Sequence, residues 1–315
     1  MTTGIQRLSK VGHFLLGIAI FTQLPNAGAA VGGDNEIKAQ GWTESQYTPD
    51  TLSSPGAVVP LEALSQSNLT APTPFRDAVS LSYYGIFYGP SVARPGSSQP
   101  DSETGKVNPE IPLLVRNYLT LSYDLADDYV MGGTLTWNWR PVYSQDLTLR
   151  DPYFKFGNGD LLKIPNLTWY ADARVHFPTS TRSRMNDLLV ALQTFHIVNY
   201  QLGSSPWALG TYASARYNHF GAAGVGNDVE FYLGPNIQLQ VSSAVSLNLL
   251  YELGSAHPWG DEPYLLVDQG TDLQAGVSWN LSQKINLNPY LNFLTGRPFS
   301  WESTSLGMTL SWRLL

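Results

Sequence analysis

The 315-residue chain contains no cysteine. That excludes disulfide staples, cysteine-based zinc or iron–sulfur centres, thiol catalysis and a lipid-bearing cysteine at a processed N-terminus. Charge is scarce too. Asp, Glu, Lys and Arg make up 14% of residues, against about 25% in average soluble domains. Apolar residues stand at an ordinary 43%, so Ser, Thr, Asn, Gln and Gly fill the gap. Long apolar runs are missing as well. "VGHFLLGIAIF" at 11–21 is eleven residues long, whereas a helix crossing a hydrocarbon core needs ~20. The net charge of −7 argues against nucleic acid as a partner, because phosphate is neutralised by Lys and Arg.

The short apolar run has its own meaning. Arg7 and Lys10 precede it, and Ala27-Gly28-Ala29 follows in a small-x-small pattern. This is the layout of a secretory signal peptide over 1–29, cleaved after Ala29. Residues 30–77 are rich in Ser, Thr, Gln and Pro with no sustained period, the composition of a flexible periplasmic arm. Within it, "PLEALSQSNL" could open a short helix at Pro60.

From Ala78 onward the pattern has period two. In "NYLTLSYDL", Leu119, Leu121, Tyr123 and Leu125 alternate with Thr120, Ser122 and Asp124. In "NLTWYADARVHF", Trp169, Ala171, Ala173 and Val175 oppose Tyr170, Asp172, Arg174 and His176. Successive side chains of a strand point to opposite faces, so each segment has one apolar and one polar face. Eleven strands follow, near 78–88, 117–125, 129–140, 166–177, 188–202, 206–219, 228–241, 244–254, 270–281, 285–294 and 304–314. Most are nine to fourteen residues long. Soluble strands average ~5–6 residues and membrane-crossing ones need ~9–11.

Tight connections ("LADDY", "GSSP", "VSSA", "LSQK") alternate with long ones at 89–116, 141–165, 255–269 and 295–303. Aromatic residues gather toward strand ends: Tyr88, Tyr118, Trp139, Phe177, Trp207, Tyr217, Trp279 and Trp301, where a bilayer interface suits their amphipathic rings. Eleven is an odd number, and single-chain bacterial barrels are usually even. The twelfth strand is expected in 141–165, where "DLTLRDPYFKFG" alternates weakly; ten is the fallback. "DLLVALQTFHIVNY" does not phase cleanly and suggests a bulge.

From Ala78 through Leu315 the chain resembles the bacterial outer-membrane β-barrel class. The resemblance implies an all-β, closed antiparallel transmembrane barrel whose apolar wall faces outer-membrane lipid. It also implies that the last strand, "TSLGMTLSWRLL", is read by the barrel-insertion machinery. In that strand Leu306, Met308, Leu310, Trp312 and Leu314 share the apolar side, and Leu315, where the class usually has an in-phase Phe, is out of phase.

Strand parity turns Asp124, Arg140, Asp172, Arg174, His176, Arg216, Glu230, Glu252, Asp272 and Arg313 inward, with Asn286, Asn288 and Asn292 as a ladder beside them. Two readings fit: a pore lining that binds polar solute, or a mixed-sign network that fills a narrow barrel with paired charges. No His-x-x-x-His pair or carboxylate cluster suggests a metal, and no cofactor is expected. Outer-membrane phospholipases carry a Ser two residues after their His; here Gly221 follows His219. The expected function is therefore a narrow outer-membrane channel or transporter for small polar solutes. The alternative is a structural or surface-interaction barrel.

Overall fold

The computed structural model describes residues 78–96, 98–100, 113–125, 128–142, 146–260, 265–295 and 298–315. The expected leader over 1–29 and the expected arm over 30–77 lie outside the described residues.

The strands run β1(Val79–Ser91), β2(Leu114–Asp124), β3(Tyr129–Trp139), β4(Leu147–Leu149), β5(Tyr153–Asn158), β6(Leu167–His176), β7(Leu188–Gln201), β8(Trp207–Phe220), β9(Asn227–Gln240), β10(Val245–Pro258), β11(Val267–Asn280), β12(Ile285–Leu294) and β13(Thr304–Arg313). One short helix, α1(Thr181–Met185), lies between β6 and β7. Every pairing is antiparallel. β1 pairs with both β2 and β13, and β2 with β3, so the sheet closes into a ring of twelve strands. β4 is a short thirteenth beside the end of β3. Closure pairs each of the twelve ring strands on both sides, as an apolar surrounding requires, and leaves only β4 paired on one side. At the seam, the Leu314 and Leu315 amides donate to the Leu81 carbonyl.

Connections at one end are tight, as at 125–128, 202–206, 241–244 and 281–284, and that end also holds Val79 and Arg313. The opposite end holds the longer connections, including 92–113, 177–187 and 259–266.

The expected twelfth strand falls in 141–165, but in two pieces. β4 pairs Leu149 with Trp137, and β5 pairs Tyr153 with Thr134. Three residues, Arg150, Asp151 and Pro152, thus face two, Leu135 and Thr136. This is a bulge, and it shifts the alternation by one. Leu147 and Leu149 before it and Phe154 and Phe156 after it all remain on the exposed outer wall. The Thr136 hydroxyl donates to the Asp151 carbonyl at 2.9 Å, giving the displaced backbone a partner. The β7 irregularity is also a bulge: the register shifts between Leu188 and Val190 against β8.

The two walls differ in chemistry. Leu121, Leu135, Leu192, Leu247, Leu249, Trp279 and Trp312 are exposed on the outside, while Thr134, Thr136, Ser214, Asn248, Ser278 and Thr309 are buried on the inside. Trp139, Phe177, Trp207, Tyr217, Trp279 and Trp301 are exposed. Tyr88 and Tyr118 do not join that girdle. Tyr118 meets Tyr84 at 5.8 Å, and the Arg116 guanidinium lies over the Tyr88 ring at 5.2 Å. Both rings sit on the inward parity of their strands, opposite Thr136 and Gly307 respectively.

Candidate functional site: the inner wall

β6 sets up the most tightly bonded cluster. Asp172 and Arg174 are both on its inward side, two residues apart. The guanidinium clasps the carboxylate through two hydrogen bonds, Nε to Oδ1 at 2.6 Å and Nη2 to Oδ2 at 3.0 Å. The Tyr170 hydroxyl donates to Asp172 at 2.7 Å. Arg174 also lies over the Phe195 ring at 4.3 Å and the Tyr153 ring at 5.1 Å. His176 is 2.9 Å from the Gln193 side-chain oxygen, and its ring is 4.9 Å from that of Tyr153. A buried charge of either sign is tolerable here because its partner and the flanking hydrogen bonds replace water.

Arg216 and Glu230 face each other across β8 and β9. Asn218 bridges them, accepting from Arg216 at 2.8 Å and donating to Glu230 at 3.3 Å. Glu252 and Asp272 are direct partners across β10 and β11. Gln274 reaches Glu252 at 3.4 Å, and Asn292 hydrogen-bonds Asp272. The asparagines on β12 join an amide network: Asn286 donates to Ser278 and to Asn280, each at 2.8 Å, and Asn288 accepts from Asn248 at 3.0 Å. Three of the sequence-derived residues sit at the rims. Asp124 and Arg313, within electrostatic reach of each other, are exposed at the tight-turn end. Arg140 pairs with Asp146 at 3.1 Å at the other.

The middle of the wall also carries an apolar cluster of Tyr170, Phe195, Ile197, Tyr212, Tyr232 and Leu250, drawn from β6 to β10. Two glycines let such rings lie flat on the neighbouring strand. A Cβ at Gly234 would fall 2.1 Å from the Tyr212 ring, and one at Gly307 would fall 2.2 Å from the Tyr290 ring. Apolar inward residues explain the poor phasing of β7: Phe195 and Ile197 point in, while Thr194 and His196 point out.

Three inward charges escaped the sequence reading. Arg116 lay just outside the expected strand at 117–125, although stepping back two residues from Tyr118 reaches it. Lys155 lay in a segment read chiefly as a connection. Asp228, bonded to His257 at 2.7 Å, sits at the very start of β9. Among the described residues no group of three or more His, Asp or Glu is placed to hold a metal, and no helix is long and apolar enough to cross a membrane.

No protein-family model and no curated protein sequence matches the chain. Among solved structures it is similar to an outer-membrane channel from Pseudomonas putida F1, at 12% identity over 79% of this chain and 99% of that one, with a TM-score of 0.46. It is also similar to the KdgM porin in complex with disordered oligogalacturonate, at 6% identity over 74% of this chain and 98% of that one, with a TM-score of 0.41. The chain's own geometry, a closed ring of twelve antiparallel strands with an apolar outer wall and a polar inner one, is that of a bacterial outer-membrane β-barrel.

Proposed function

We propose that the protein is an outer-membrane channel for small polar solutes, exported by its 1–29 leader and inserted through its last strand. The observation that carries this reading is the inner wall, which offers hydroxyls, amides and charges of both signs along the strands. Twelve strands put the lumen between filled eight-stranded barrels and open porins of sixteen or more. Mixed signs argue against strong ion selectivity, because selective filters use rings of one sign. Tight packing at mid-height favours a second reading, a non-conducting barrel: Arg116, Leu250 and Glu252 are 1%, 2% and 3% exposed.

Single-channel recording of the purified chain in a planar bilayer separates the two. Small, weakly selective currents are expected. Absence of current from protein that migrates as a folded barrel on unheated gels would overturn the channel reading in favour of the second.

A further inference from the structure

The charges that point inward are sorted by sign around the ring. Arg116, Lys155, Arg174 and Arg216 come from β2, β5, β6 and β8. Asp228, Glu230, Glu252 and Asp272 come from β9, β10 and β11. Of the inward acids on the basic side, Asp172 is held through both oxygens by Arg174, and Asp124 lies exposed at the tight-turn rim near Arg313. From Asn227 to Leu294, which spans β9 to β12, the sequence has no Arg and one Lys, Lys284, in a tight turn, and its one histidine, His257, is bonded to Asp228. Between the two arcs, β12, β13 and β1 present uncharged groups such as Asn288, Tyr290, Thr309 and Tyr84.

Five of these charges lie at the level nearer the long connections. Arg116 has its guanidinium 5.2 Å from the Tyr88 ring. Arg216 pairs with Glu230 across β8 and β9, and Glu252 pairs with Asp272 across β10 and β11. Tyr88 and Tyr290 flank Gly307 from its two sides, and Tyr232 shares the inward face of β9 with Glu230. Tyrosines therefore line the wall between the basic and the acidic strands. Polar valences are open at this level: Glu230 Oε2 and the Tyr88 hydroxyl are buried without a hydrogen-bond partner. Glu252 and Asp272, facing each other directly, repel, which a cation between them would relieve.

We propose that this level is a binding station for small zwitterions, molecules carrying an ammonium and a carboxylate a few bonds apart, of which free α-amino acids are the simplest. The carboxylate turns to Arg116 and Arg216, which can grip it with paired N–H donors. The ammonium turns to Glu252 and Asp272, with tyrosine faces beside it. A simple anion meets the acidic arc and a simple cation the basic one, so each gains on one side and loses on the other. A neutral solute gains on neither. A zwitterion aligned across the lumen gains on both.

The inference rests on the channel reading, and liposome swelling with the purified full chain tests both. Glycine and glycolamide are isomers of one size and no net charge, and only glycine is a zwitterion. Glycine is expected to enter about tenfold faster, the scale of one charge-assisted hydrogen bond. The doubly neutralised Glu252→Gln, Asp272→Asn variant is expected to lose that advantage, read as the ratio of the glycine rate to the glycolamide rate within the same vesicles. Arg116→Gln, made separately, should reduce the advantage as well, so a folding failure of either variant leaves the other. Equal rates for the two isomers through the wild-type barrel would overturn the zwitterion station and leave the channel standing. No swelling with either, from vesicles holding folded barrel, would overturn the channel itself and the station with it.

Discussion

Strands β7 to β11 run 14 residues each, whereas the arc beside them relies on β4 and β5, of three and six residues. Both arcs keep apolar groups out and polar groups in. The long strands do so by regular alternation through their middles, the register shifting only toward their ends. The short pair does so by absorbing an interruption. Pro152 has no N–H to give to the ladder, and the bulge it belongs to is held by three hydrogen bonds, two to Thr136 and one to Phe177. Thr136 donates to the Asp151 carbonyl, the Arg150 amide donates to the Thr136 carbonyl at 2.9 Å, and the Phe177 amide donates to the Pro152 carbonyl at 2.9 Å. The Asp151 carboxylate in turn accepts from the Ser180 amide at 2.8 Å and from the Ser183 hydroxyl, tying down the connection that carries α1. A closed ring thus tolerates a broken member when neighbouring strands supply the missing partners.

Four substitutions, two of them a matched pair, would break or sharpen this comparison. The largest effect is expected in the short arc, at Asp172→Asn. It leaves the Arg174 guanidinium buried without its counter-charge, a loss of about 3–5 kcal/mol. Urea unfolding of the barrel in lipid vesicles, followed by tryptophan fluorescence, would read it; an unchanged midpoint would mean the clasp is not a structural anchor. Next comes a matched pair on the outer wall. Leu249→Arg in the middle of β10 should cost ~2–4 kcal/mol, while Leu149→Arg in β4, near the rim, should cost ~0–1 kcal/mol. The folded fraction on unheated gels after refolding into vesicles compares them, and equal yields would contradict the depths assigned to the two sites. The smallest change is Thr136→Val, which removes the hydroxyl from the Asp151 carbonyl at a cost of about 1 kcal/mol. It should speed amide exchange in β4 and β5 and leave β10 unaffected; uniform acceleration around the ring would count against a local role.

The same contrast explains what was legible in the sequence. Wherever alternation ran unbroken, as in β6, β9 and β12, the residues themselves told which side each faced. Bulges defeated that reading, because one extra residue inverts the parity and makes a strand look like a loop. The inward apolar cluster defeated it differently: Phe195 and Ile197 are buried within the ring, so hydrophobicity no longer marks the outer wall. Sorting of charge by sign around the lumen was invisible for another reason. It depends on which strands lie beside one another and on Arg116 and Lys155, which sat in segments read as connections.

In terms of the gene, the bulge at Arg150, Asp151 and Pro152 changes what a single lost codon does. In a regular stretch such as Val245–Glu252 of β10, removing one residue turns everything beyond it inside out, sending leucines into the lumen and Asn or Glu into lipid. At 150–152 the chain already carries the extra residue. Losing Pro152 would bring Leu149 and Tyr153 into one register against β3, with Leu147, Leu149, Phe154 and Phe156 still facing out. The barrel therefore has a site where its length can vary by one residue without reversing its walls.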